Sequence, residues 1–151
     1  MRVNNTGTAF LAKLLEKKLS TQASVLVLGE QSHNFCSFFP KAYSFIFVKD
    51  IALAQDNNSK YDALILLDVL SKIENPRELL ERSYASLHEG GLLCVSVPNT
   101  HSLAKRFRKE KWFAAQDSRF VHVYDPFKWK SLFDINSLII ERKFTHGYVH
   151  F

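Results

Sequence analysis

The chain has 151 residues, 46% of them hydrophobic, and a formal net charge of +5 at pH 7. That length suits one domain, residues 1–151, with enough apolar side chains for a sizeable core. No apolar stretch has membrane-spanning length, Lys13, Glu16, Lys17 and Lys18 interrupt any signal-peptide core, and so dilute a charge does not by itself mark a nucleic-acid binder.

In chain order, Thr8 to Leu19 reads as an amphipathic helix, with Phe10, Leu11, Leu14, Leu15 and Leu19 on one face and lysines on the other. Ser24 to Leu28 is a short buried strand ending at Gly29. Gln31 to Phe39 has the pattern of a short helix stopped by Pro40, and Tyr43 to Val48 that of another strand. The polar turn Asp56-Asn57-Asn58-Ser59 precedes the most informative stretch, Tyr61 to Asn99. Its apolar run Ala63–Leu67 is a strand covered on both faces. Asn75 is an N-cap, Pro76 occupies the first helical position and Glu78 completes a capping box. Leu79, Leu80, Tyr84 and Leu87 mark the apolar stripe, and Gly90-Gly91 supplies a left-handed residue to end the helix. Leu92 to Val97 is the next strand, halted by Pro98. This is a βαβ unit, with parallel strands and a right-handed crossover. Beyond it, Ser102–Lys109 and Pro126–Phe133 read as helices, Ser137–Phe144 as a strand, and Gly147–Phe151 as the start of a last one. There is no repeat, low-complexity segment or linker.

Cys36 and Cys94 are the only cysteines. Cys94 falls in a buried strand, so no disulfide is expected and a reducing cytoplasm is the default compartment. His146 and His150 share a terminal strand with no third ligand in view, so no metal site is expected. Phe107, Trp112 and Phe113 lie among Lys105, Arg106, Arg108, Lys109 and Lys111. That mixture has two readings, a nucleic-acid surface or a solvated helix-to-loop flap over the strand ends, with Trp112 and Phe113 packed inward as its anchor. The flap would favour an acidic substrate or partner.

Several of these motifs together resemble the class I S-adenosylmethionine-dependent methyltransferases. Val25-Leu26-Val27-Leu28-Gly29 is similar to that family's first strand and the first glycine of its nucleotide loop. Lys60-Tyr61-Asp62 followed by Leu66-Leu67-Asp68-Val69-Leu70 resembles the strand whose end covers the adenine side of the cofactor. Ile73-Glu74-Asn75-Pro76 and Leu87-His88-Glu89-Gly90-Gly91 resemble the entry and exit of the following helix. Val97-Pro98-Asn99, Lys111-Trp112-Phe113 and His122-Val123-Tyr124 are similar to a subgroup acting on small molecules, lipids and sugars.

The resemblance implies a small Rossmann-like α/β three-layer sandwich with a shortened early half. It implies S-adenosylmethionine as cofactor, near Gly29, Glu30, Ser32, Asp50, Asp68 and Val69. It also implies a substrate region at Asn99, Trp112 and Tyr124, and His122 as general base, because histidine ordinarily titrates closest to neutral pH. Asp50 has two registers, one at the ribose hydroxyls and one beside adenine. The family's glycines at the positions of Gln31 and His33 are absent, so these side chains crowd the loop and the cofactor is expected to bind weakly or not at all. The implied activity is methyl transfer to a small-molecule, lipid or sugar acceptor. The alternatives are an inactive methyltransferase-fold module binding a protein partner, and a nucleic-acid-binding domain using residues 105–111.

Overall fold

The computed structural model describes residues 6–29, 35–39, 45–48, 59–135 and 138–141. Four strands, β1 (Val25–Leu28), β2 (Phe45–Val48), β3 (Tyr61–Leu67) and β4 (Leu87–Ser96), form one sheet in the order β2-β1-β3-β4. All three pairings are parallel, as the βαβ pattern requires; Val25 stands beside Phe45 and Ala63, and Ile65 beside Cys94. Both central strands are covered on both faces, which explains their unbroken apolar runs.

Alternation along the strands divides the core in two. Val25, Val27, Ala63, Ile65 and Cys94 face α1 (Thr6–Glu16) and the segment carrying Phe35 and Phe39. Leu26, Leu28, Leu64 and Leu66 face Leu79 and Leu80 of α2 (Pro76–Ala85) together with Trp129. Three short helical pieces follow β4, namely α3 (Leu103–Arg108), a 3₁₀ turn (Lys109–Lys111) and α4 (Phe113–Gln116). The last helix, α5 (Pro126–Ile135), brings in Trp129.

Several expectations need correction. On α1, Ala12 and Leu15 are buried while Phe10 is half exposed, so the buried face is turned away from Phe10. On α2 the buried positions are Pro76, Leu79, Leu80 and Ser83, an i, i+3, i+4, i+7 stripe; Tyr84 points outward. Ser83 hides in that stripe because its hydroxyl donates to the Leu79 carbonyl at 2.7 Å. Nor does Gly90-Gly91 end the helix. Ser86 ends it, its N–H and hydroxyl both returning to the Arg82 carbonyl, and β4 begins at once with Leu87 beside Tyr61. The glycine pair instead sits at an irregularity within β4: β3 advances from Tyr61 to Ala63 while β4 advances from Leu87 to Leu92. Gly90 has φ 74°, and a Cβ on Gly91 would lie 2.9 Å from the His88 carbonyl oxygen. The expected capping box survives in altered form. Asn75 Oδ1 accepts from the Glu78 N–H at 3.2 Å, but the Glu78 carboxylate takes the Asn75 side-chain amide rather than its backbone N–H.

Residues 138–141 of the expected 137–144 strand have no regular structure. The expectations on residues 40–44 and 142–151, including His146 and His150, lie outside the described residues. Among the described residues no helix is long and apolar enough to cross a membrane, and no cluster of three metal-ligating side chains occurs.

Candidate functional site

The sheet order defines a place before any ligand is considered. From β1 the chain moves outward to β2, then returns past β1 to β3 on its other side. The strand order therefore reverses between β1 and β3, and their carboxyl ends form the switch point where open α/β sheets bind ligands in a crevice. Gly29, Asp68 and Val69 stand at those ends.

Gly29 has φ 129°, and a Cβ there would lie 2.5 Å from the Leu67 carbonyl oxygen. Glycine is thus required by the close approach of the β1 end to β3. Asp68 also adopts a positive φ, 57°, a conformation that aspartate and asparagine tolerate better than most residues. Its backbone N–H donates to the Ser96 carbonyl at 3.0 Å, and the Ser96 hydroxyl donates to its Oδ1 at 2.9 Å. The end of β4 therefore fixes the carboxylate that ends β3. Val69 is half-buried against the α2-side core. Glu30, Ser32 and Asp50, together with Gln31 and His33, lie outside the described residues. The strand preceding Asp50 pairs directly with β1.

A second group lies beside the β3–α2 loop. The His122 N–H donates to the Ser71 carbonyl at 3.0 Å. The imidazole Nε2 lies 2.8 Å from the Glu74 carbonyl oxygen, and Nδ1 lies 2.8 Å from the Tyr124 hydroxyl. A carbonyl can only accept, so Nε2 carries a proton, and in the neutral ring Tyr124 donates its hydroxyl proton to Nδ1. Both ring nitrogens are committed. Tyr124 is held on two further sides, its ring centroid 4.9 Å from that of Trp129 and Lys128 Nζ 3.7 Å from its own.

Asn99 lies where the chain leaves β4, and its Oδ1 accepts from the His101 N–H at 2.9 Å, bracing the turn into α3. Trp112 is 3% exposed and acts here by packing, as its expected anchor role requires. Phe113 does not share that role. At 47% exposed, it lies edge-on to Trp112 and Phe120 on the outside.

The structure thus brings Gly29, Asp68 and Val69 together at the adjoining ends of β1 and β3, pairs His122 with Tyr124, and buries Trp112. Sequence reasoning missed Ser96, which holds Asp68, and the Glu74 carbonyl, which holds His122. It also missed Asp125, whose carboxylate caps α5 by accepting from the Phe127 and Lys128 N–H groups. The Lys128 N–H, ahead of the Phe127 N–H, holds the Asp125 carboxyl below its ordinary titration range. An aspartate directly before Pro126 was a legible signal for that cap.

Comparison with known proteins decides the family. A family model described as a methyltransferase domain matches residues 8–136. The chain belongs to the class I S-adenosylmethionine-dependent methyltransferase family. Its fold agrees with that of an O-methyltransferase family protein from Burkholderia thailandensis, with a TM-score of 0.57 at 12% identity. The likeness covers 93% of this methyltransferase-family chain and 55% of the other, so the chain spans little more than half of that protein. No curated protein matches by sequence. The sheet is accordingly the Rossmann-like sheet of that family.

Proposed function

We propose that this chain is an S-adenosylmethionine-dependent methyltransferase domain that methylates a small-molecule, lipid or sugar acceptor. The observation that carries the proposal is the switch point between β1 and β3, with Gly29 and Asp68 both at positive φ at the two strand ends. The described residues fit the cofactor. Gly29 brings backbone to the crevice without a side chain, and Asp68 presents an acceptor carboxylate that Ser96 orients. Val69 adds an apolar wall. Glu30, Ser32 and Asp50 would complete the set; the pairing of β2 with β1 favours the ribose register for Asp50. S-adenosylmethionine, when bound, supplies a methyl group on a sulfonium. The chain then has to align an acceptor lone pair with that methyl and exclude water, and alignment alone accounts for much of such a rate enhancement.

In this reading the acceptor enters along residues 99–124. Asn99 shapes the turn, Trp112 supports the wall from behind, and Tyr124 offers its hydroxyl oxygen to the acceptor. His122 holds that hydroxyl in place. It serves as a general base only when Tyr124 releases Nδ1.

Calorimetric titration with S-adenosylmethionine and S-adenosylhomocysteine tests the proposal. We expect both to bind, and Asp68→Asn, which suits the same backbone, to weaken binding about tenfold or more through loss of the charged acceptor. Absence of heat with both compounds would leave the inactive binding module as the better reading. Unchanged affinity in Asp68→Asn would place the cofactor elsewhere.

A further inference from the structure

Just beyond β4 lies an open cavity of about 580 Å³, a size suited to a small molecule. Lys105, Arg106 and Lys109 line it against a single carboxylate, Glu110, with His101 and Thr100 completing the wall. The Thr100 hydroxyl oxygen is buried beside it without a hydrogen-bond partner, one of three such side-chain atoms among the described residues.

The backbone adds an independent observation. Lys109 has φ 47° and ψ −112°, a conformation that glycine adopts without strain and lysine does not. Its N–H closes α3 on the Lys105 carbonyl, and its own carbonyl receives the Trp112 N–H. Gly29 and Gly90 are the described glycines with positive φ. Among the described residues, Asp68 and Lys109 are the non-glycine positions with positive φ. One is at the cofactor crevice, and the other brings a cation to this cavity.

We propose that this cavity is an anion subsite that takes a phosphate group carried by a small acceptor. Three cations against one carboxylate suit the charge and acceptor oxygens of a phosphate ester. A nucleic-acid strand would call for aromatic platforms beside the cations. Trp112 does not provide one, because its ring is buried beneath Lys105, whose Nζ lies 5.5 Å from the ring centroid, and the exposed rings of Phe107 and Phe113 do not line the cavity. The anion subsite stands on the cavity alone. Its assignment to a methyl acceptor rests on the methyltransferase reading above.

The test is calorimetric titration of pyrophosphate at low ionic strength into the parent and into Lys105→Gln, Arg106→Gln and Lys109→Gly, with S-adenosylhomocysteine titrated separately. We expect measurable pyrophosphate binding, weakened about two- to fivefold by each change, as befits partly exposed cations, with S-adenosylhomocysteine affinity unaltered. Tryptophan emission should respond to pyrophosphate through Lys105 and Trp112. Lys109→Gly should also melt at a higher temperature than the parent, showing that the lysine is kept despite its strained backbone. No pyrophosphate binding by the parent, or equal binding by all three variants, overturns the subsite. So does a single-stranded oligonucleotide that binds far more tightly than pyrophosphate with affinity rising with length, which would make the surface a nucleic-acid contact. Pyrophosphate binding without S-adenosylhomocysteine binding upholds the anion site and removes only its link to methyl transfer.

Discussion

The two ends of one sheet are built on opposite plans. At the amino ends of its strands the chain is clasped. The Ser24 N–H and hydroxyl both donate to Asp62 Oδ2, at 2.8 and 2.9 Å, and the Asp62 N–H returns to the Ser24 carbonyl at 3.0 Å. The Tyr61 N–H takes the Ser86 carbonyl, Lys60 takes the Ala85 carbonyl, and a single residue joins α2 to β4. At the carboxyl ends two connections pass through left-handed residues, and a charged cavity opens. Short connections with saturated hydrogen bonds contribute stability. Strained residues and unmatched polar atoms cost stability, and they persist where a ligand is to be held. A reader with the fold alone would place the chemistry at the second end.

The largest test of this contrast is Trp112→Ala. If the carboxyl end relies on one buried ring to carry its irregular segments, thermal or denaturant unfolding should show a loss of about 3–5 kcal/mol. Stability equal to the parent would mean that the ring is not the anchor. Next comes Gly29→Ala. The new methyl meets the Leu67 backbone, which cannot swing aside, at an unfavourable φ, so a loss of about 2–3 kcal/mol is expected. A silent Gly29→Ala would show that β1 and β3 do not approach so closely, and the crevice would need redrawing.

The smallest effect belongs to the clasp. The Ser24 N–H, followed by its hydroxyl, lowers the Asp62 carboxyl below its ordinary value. A folded-state pKa below the unfolded one, about 3.9, means that the contribution is complete above that value and is lost as pH falls through the lowered one. Asp62→Asn should therefore show its full, though small, loss near neutrality and none in acid, flattening part of the acid limb of stability against pH. An unchanged acid limb would count against the clasp.

What could be read from sequence follows the same division. β1, β3 and the start of α2 were legible because their signals are local: apolar runs of strand length, and Asn75-Pro76 with Glu78. The end of α2 was not, because Leu87 fits a helical stripe and a strand start equally well, and Ser83 looks too polar to be buried until its hydroxyl is seen on Leu79. At the site, Gly29 and Asp68 stood out as strand ends. Ser96 did not, because its role depends on the register of β4 against β3. The engagement of His122 by Glu74 joins residues far apart in the chain, and no residue type announces the positive φ of Lys109.

The two cysteines have a practical consequence. Cys36 and Cys94 sit in or against the α1-side core, and burial pushes both thiols up to about 12. The thiolate is the form that reacts, so buried Cys94 should react slowly with maleimides and iodoacetamides, and half-buried Cys36 more slowly than an exposed thiol. A thiol introduced by Phe107→Cys, at a position 71% exposed on α3, would react fastest, and a dye attached there would sit on the helix that carries Lys105 and Arg106 of the charged cavity and could report on its occupancy.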